Sequence, residues 1–91
     1  MQSLSDERSA VEAFIRQTGE ISLSARQLEC LYWVQEGKSS RDIGAILGVS
    51  HRIVERHVFR ACRKLEVRTR LQAVIRARTL GLLHDSHPMN R

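Results

Sequence analysis

Four short runs of apolar residues at helical spacing, each opened by a hydroxyl side chain, restrict this chain to a set of short helices. Ser24 precedes the first with Gln27 three residues on, and Ser39 precedes the second with Asp42 at the same spacing. Ser50 opens the third, and Thr69 opens the fourth with Gln72 three residues later. A Ser or Thr there accepts from the backbone N–H three residues on, and a Gln or acid at that third position reaches back. The spacing therefore predicts three capping boxes and one simpler cap. Gly37, Gly48 and Gly81 supply the stops, Gly48 with Val49 forming a tight turn. Leu28, Leu31, Tyr32 and Gln35 share one stripe. Ile43, Ile46 and Leu47 point inward in the second helix, and Leu71, Val74, Ile75, Ala77 and Leu80 line the fourth. Residues 5–18 predict a further helix, with Val11, Phe14 and Ile15 at helical spacing, Asp6 and Glu7 in the first turn and Gly19 as its stop. No alternating strand pattern occurs. The fold class expected is all-α: four helices, with an extra N-terminal helix.

A chain of 91 residues is enough for one small domain. At that length folding buries only about 60–65% of the surface the unfolded chain exposes, so a large cofactor pocket is not expected. Residues 1–20 read as an N-terminal helical extension or linker, 21–83 as the domain and 84–91 as a disordered tail. The apolar stretches are a few residues long, far short of the roughly 20 that cross a bilayer. The first seven residues have neither a basic start nor an apolar run, so a secretory signal is not expected and the chain is expected in the cytosol. Cys30 and Cys62 sit beside apolar positions, where a free thiol acts as a small hydrophobe. No Cys-x-x-Cys or His-x3-His spacing occurs, so no metal and no cofactor is expected. Catalysis is not supported: there is no Ser/His/Asp set, glycine-rich phosphate loop or converging carboxylate pair. Trp33, Tyr32, Phe14 and Phe59 are scattered, which argues against a platform for stacking RNA bases.

The net charge of +5 is unevenly spread. Residues 1–37 carry three Arg against six acids, whereas residues 38–78 carry eleven Lys and Arg against Asp42, Glu55 and Glu66. Such a concentration suits a polyanionic partner, though a solvated basic surface has the same composition. The Ser50–Leu65 helix separates the two. Taking Val54 as zero and about 100° per residue, Val58, Ala61 and Leu65 fall within roughly 40° of it. Arg52, Arg56 and Arg63 fall at about 160–200°, flanked by Phe59 near 140° and Arg60 near 240°. One face is core and the other is a line of guanidinium groups, whose planar fork fits guanine O6/N7 and phosphate. A short helix, a glycine turn and a basic amphipathic helix together meet the needs of a helix-turn-helix entering a major groove.

The run Leu23-Ser24-Ala25-Arg26-Gln27-Leu28-Glu29-Cys30-Leu31, then Gly37-Lys38-Ser39-Ser40-Arg41-Asp42-Ile43-Gly44 and Leu47-Gly48-Val49-Ser50, resembles the LuxR-type (GerE-like) DNA-binding domain. The likeness continues through Val54-Glu55-Arg56-His57-Val58, Lys64-Leu65, Val67, Arg70, Ala73-Val74, Ala77 and Leu80-Gly81-Leu82, over about 60 residues without gaps. Trp33, with Gly37-Lys38-Ser39-Ser40 following, is most similar to the quorum-sensing, acyl-homoserine-lactone-responsive branch. The resemblance implies a four-helix domain with the Ser50–Leu65 helix in the major groove of double-stranded DNA. It implies a homodimer through the last helix, with Leu71, Val74, Ile75, Ala77 and Arg78 as interface candidates. Phosphate contacts carry over to Ser39, Ser40, Ser50, His57 and Lys64, His57 having a purely structural role as an equal alternative. Base contacts fall to Arg52, Glu55, Arg56, Phe59, Arg60 and Arg63. The implied protein is a cytoplasmic transcription regulator of bacteria, associated with the nucleoid when bound to DNA.

This chain departs from the family pattern at Ile53, Glu55 and Arg60, where Thr, Lys and Asn are usual. Glu55 suits the positive end of the helix dipole and can accept from cytosine N4. Phe59 suits a thymine methyl or a protein partner. Two functions follow: a sequence-specific DNA-binding regulator, or a truncated LuxR-type protein that inhibits or heterodimerises with a full-length regulator.

Overall fold

Each helix starts where a hydroxyl side chain satisfies N–H groups that have no partner within the helix. In the computed structural model, which describes residues 21–84, Ser24 Oγ accepts from the Gln27 N–H at 3.1 Å and Gln27 Oε1 accepts from the Ser24 N–H at 2.9 Å. That pair opens α1 (Ala25–Gln35). The Ser39–Asp42 pair opens α2 (Ser40–Leu47) at 3.1 and 3.2 Å, and Thr69 with Gln72 opens α4 (Arg70–Thr79) at 3.1 Å each way. Ser50 alone caps α3 (His51–Leu65), its Oγ accepting from the Ile53 N–H at 3.3 Å. These are the starts expected from the sequence, and the described residues contain four helices and no strand. The helix expected over residues 5–18 and the tail from residue 85 onward lie outside the described residues.

The hydrogen bond from the Ser39 N–H to Asp42 holds that carboxyl below the ordinary carboxylate range. A carboxyl with a lowered folded pKa lends its stabilisation above the unfolded value and loses it as the pH falls through the folded value. The α2 cap therefore weakens only in acid.

The four helices share one core. α3 touches α1, α2 and α4, and it buries Val54, Val58, Ala61, Cys62 and Leu65, the stripe the periodicity marks out. Leu31 and Ile43 meet it from α1 and α2, and Ala73, Val74 and Ala77 from α4. Burial pushes both thiols upward, so Cys30 and Cys62 stay protonated. One inward assignment needs correcting: Ile46 is 46% exposed. Apart from a hydrogen bond between Arg70 and Ser40, α2 rests on α1 and α3 alone among the described helices, and neither covers its Ile46 flank. Gln27 is buried, a polar side chain within α1 that the apolar stripe does not reveal.

Two turns orient α3. Gly48, at φ 74°, ends α2 in the left-handed conformation that favours glycine, and the Val49 N–H donates to the Gly44 carbonyl at 2.9 Å. Gly44 lies so close to that turn that a Cβ there would stand 2.5 Å from the Val49 carbonyl oxygen. At its other end α3 stops on Glu66, which adopts φ 59° and is the one non-glycine residue with positive φ among those described. The left-handed conformation costs an L-residue about 1–2 kcal/mol.

Candidate nucleic-acid interface

α3 turns one face to the core and the other to solvent. Arg52, Glu55, Arg56, Phe59, Arg60 and Arg63 are all exposed, and they lie together on its outer side. Among the described residues the ion pair formed is Arg26–Glu29, on α1, and none of the four α3 arginines enters one. Their charge is therefore not neutralised locally. The Arg63 guanidinium lies over the Phe59 ring, 5.9 Å from its centroid, one helical turn away. Phe59 itself is 60% exposed.

The expected phosphate-contact residues separate. Ser39 and Ser50 are exposed helix caps at the starts of α2 and α3, where free N–H groups and the positive end of the dipole favour an anion. Ser40 is buried and its hydroxyl accepts from Arg70 Nη1 at 3.3 Å, so its side chain joins α2 to α4 instead of facing outward. Lys64 Nζ donates to the Ser22 carbonyl at 2.9 Å and to Gln27 Oε1 at 3.1 Å, clasping the segment before α1 onto α3. His57 is half-buried, and its Nδ1 is enclosed without a hydrogen-bond partner among the described residues.

The α4 candidates separate as well. Val74 and Ala77 belong to the domain's own core, because α4 packs that side against α1 and α3. Leu71 and Ile75 are 66% and 56% exposed, and Arg78 is exposed beside them. Beyond α4, the Gln35 amide donates to the His84 carbonyl at 2.7 Å, so the first residue assigned to the tail is tied to α1. This contact and the Lys64–Gln27 and Arg70–Ser40 bonds span 30 to 49 residues, and no local pattern announces them.

Among the described residues there is no group of three or more His, Cys, Asp or Glu placed to hold a metal, and no helix is long and apolar enough to cross a membrane.

An eight-residue helix, a turn through Gly48 and Val49, and a 15-residue basic helix packed against the first define a helix-turn-helix domain. Residues 21–77 match the model of the GerE family, bacterial regulatory proteins of the luxR family, and the chain belongs to that family. The solved structure of the transcription factor GerE superimposes with a TM-score of 0.68 at 30% identity, covering 70% of this chain and 96% of that one. The transcriptional activator protein AnoR of Acinetobacter nosocomialis is 44% identical over 61 residues, 67% of this chain and 26% of that protein. The quorum sensing-dependent transcriptional regulator RpaR of Rhodopseudomonas palustris is 41% identical over 61 residues, 67% of this chain and 25% of that protein. The chain thus spans about a quarter of the length of these curated relatives. It is a LuxR-family helix-turn-helix, DNA-binding transcription-regulator domain, as the resemblance in its sequence implied.

Proposed function

We propose that this domain reads a specific duplex sequence with α3 in the major groove, as a homodimer joined through the outer face of α4, in the bacterial cytoplasm. The observation that carries this reading is the set of four exposed arginines on α3, none in an ion pair among the described residues, opposite a fully packed face. Caps at Ser39 and Ser50 supply backbone N–H groups for the flanking phosphates. RpaR's description as quorum sensing-dependent supports a role in regulation of the same kind.

Arg56→Ala is expected to weaken binding to a selected duplex by about 1–3 kcal/mol, the loss of a base contact. Fluorescence anisotropy against selected and random duplexes measures it. A variant that binds the selected duplex like the parent would overturn the proposed groove face.

For the dimer, the exposed residues are the informative ones. Ile75→Glu places a carboxylate on the outer face of α4 and is expected to weaken self-association about tenfold or more, the scale of losing one anchoring contact. Sedimentation equilibrium reads this, and circular dichroism should be unchanged because Ile75 is 56% exposed and lies outside the buried core. Val74→Glu is a poor probe, since a buried carboxylate unfolds the domain whether or not it dimerises.

The same face supports a second reading, heterodimerisation with a full-length LuxR-type regulator. Leu71 and Ile75 are exposed apolar residues that suit either partner. Specific DNA binding by this chain alone favours the first reading. Loss of a regulator's DNA binding on mixing with this chain favours the second.

A further inference from the structure

We propose that Phe59 makes this domain sensitive to the C5-methyl group of a pyrimidine, so that it distinguishes thymine from uracil at one position of its site. The inference rests on the reading of α3 as the groove helix and deepens it.

Phe59 is an apolar side chain standing in a charged face. It is 60% exposed, it lies on the same side of α3 as Arg52, Arg56 and Arg63, and the core stripe of Val54, Val58, Ala61 and Leu65 runs behind it. A phenyl ring neither donates nor accepts a hydrogen bond, so it cannot read the donor and acceptor pattern of base edges. Set against the major groove, it would desolvate polar edges without repaying them, except at one group. The C5-methyl of thymine is the apolar feature of that groove, and 5-methylcytosine presents the same group at the same place.

The ring also has a neighbour on this face: the Arg63 guanidinium lies 5.9 Å from its centroid, one turn further along. Phe59 stands about 12 Å along α3 from its first residue, one turn beyond Arg56 and Glu55. A helix lying in the groove would thus set the ring about one to two base pairs from the contacts of Arg56. The expected site has a guanine under Arg56 and a methylated pyrimidine beside it.

The test uses the full chain and a duplex enriched from a random pool. Each thymine is replaced in turn by deoxyuridine, which removes the methyl and keeps every hydrogen-bonding group. For the parent protein, anisotropy titrations should show about a four-fold loss at one thymine of a half-site, the scale of one methyl buried against an apolar surface, and little change elsewhere. Phe59→Ala should bind the thymine and uracil duplexes alike while remaining folded, since the side chain is exposed. Specific binding that survives every thymine-to-uracil exchange within two-fold overturns the inference and leaves the DNA-reading function standing. A selected site without thymine does the same. Binding with no sequence preference overturns both, and would reassign Phe59 to a protein contact.

Discussion

Gly44→Ala is expected to destabilise the domain by about 1–2 kcal/mol net, although helix propensity alone argues for the opposite sign. Gly44 lies inside α2, where alanine is the better helix former by about 0.8–1 kcal/mol. The added Cβ, however, would stand 2.5 Å from the Val49 carbonyl oxygen and 3.3 Å from both the His51 nitrogen and the Ser50 carbonyl carbon. All three are backbone atoms, so no rotamer change relieves the overlap. The turn must move off α2, weakening the 2.9 Å hydrogen bond from Val49 to Gly44 and shifting the start of α3. Overpacking against unyielding neighbours costs about 1–3 kcal/mol and occasionally more, which outweighs the propensity gain. Urea denaturation measures the difference. An alanine variant as stable as the parent would show that α2 and the turn are not in close approach. Because the same turn aims α3, the variant should also lose affinity for a selected duplex under conditions where it is still folded.

Leu31→Ala is expected to cost about 3–4 kcal/mol. Leu31 is fully buried in α1, and its truncation removes apolar contact and leaves a cavity, a change that costs about 2–5 kcal/mol in cores. Total stabilities of about 5 kcal/mol are ordinary at the small end of domain size, so the loss is a large fraction of the whole. The thermal midpoint should fall by roughly 15 °C or more, at about 4–8 °C per kcal/mol. Leu71→Ala is the matched comparison in samples dilute enough to be monomeric: the residue type is the same, but Leu71 is 66% exposed on α4 and should there change stability by no more than about 0.5 kcal/mol. If the two substitutions had similar effects on the melt, the assignment of Leu31 to the core would be wrong.

The helix starts were legible because capping is local chemistry. A hydroxyl and a Gln or Asp three residues apart can satisfy each other's backbone without help from the rest of the chain, as Ser24, Ser39 and Thr69 do. The faces of α3 were legible for a related reason. Its 15 residues give over four turns, enough for the apolar stripe and the arginine line to separate. Ile46 shows where this stops. In a helix of eight residues two apolar positions on neighbouring flanks look equally inward, and only the placement of α1 and α3 leaves one of them uncovered.

The same limit divides the candidate site. By itself the sequence determined an all-α chain, four helix starts, a basic face on α3 and membership of the LuxR family, because each depends on spacing within one helix or on a run of residues. The tertiary structure alone decided that Ser40 turns inward to Arg70, that Lys64 clasps Ser22 and Gln27, and that Val74 and Ala77 belong to the core while Leu71 and Ile75 remain outside. Those outcomes depend on which helix lies opposite a given side chain. Residues 30 to 42 positions apart meet in these bonds, and no periodicity within a single helix carries information across that distance.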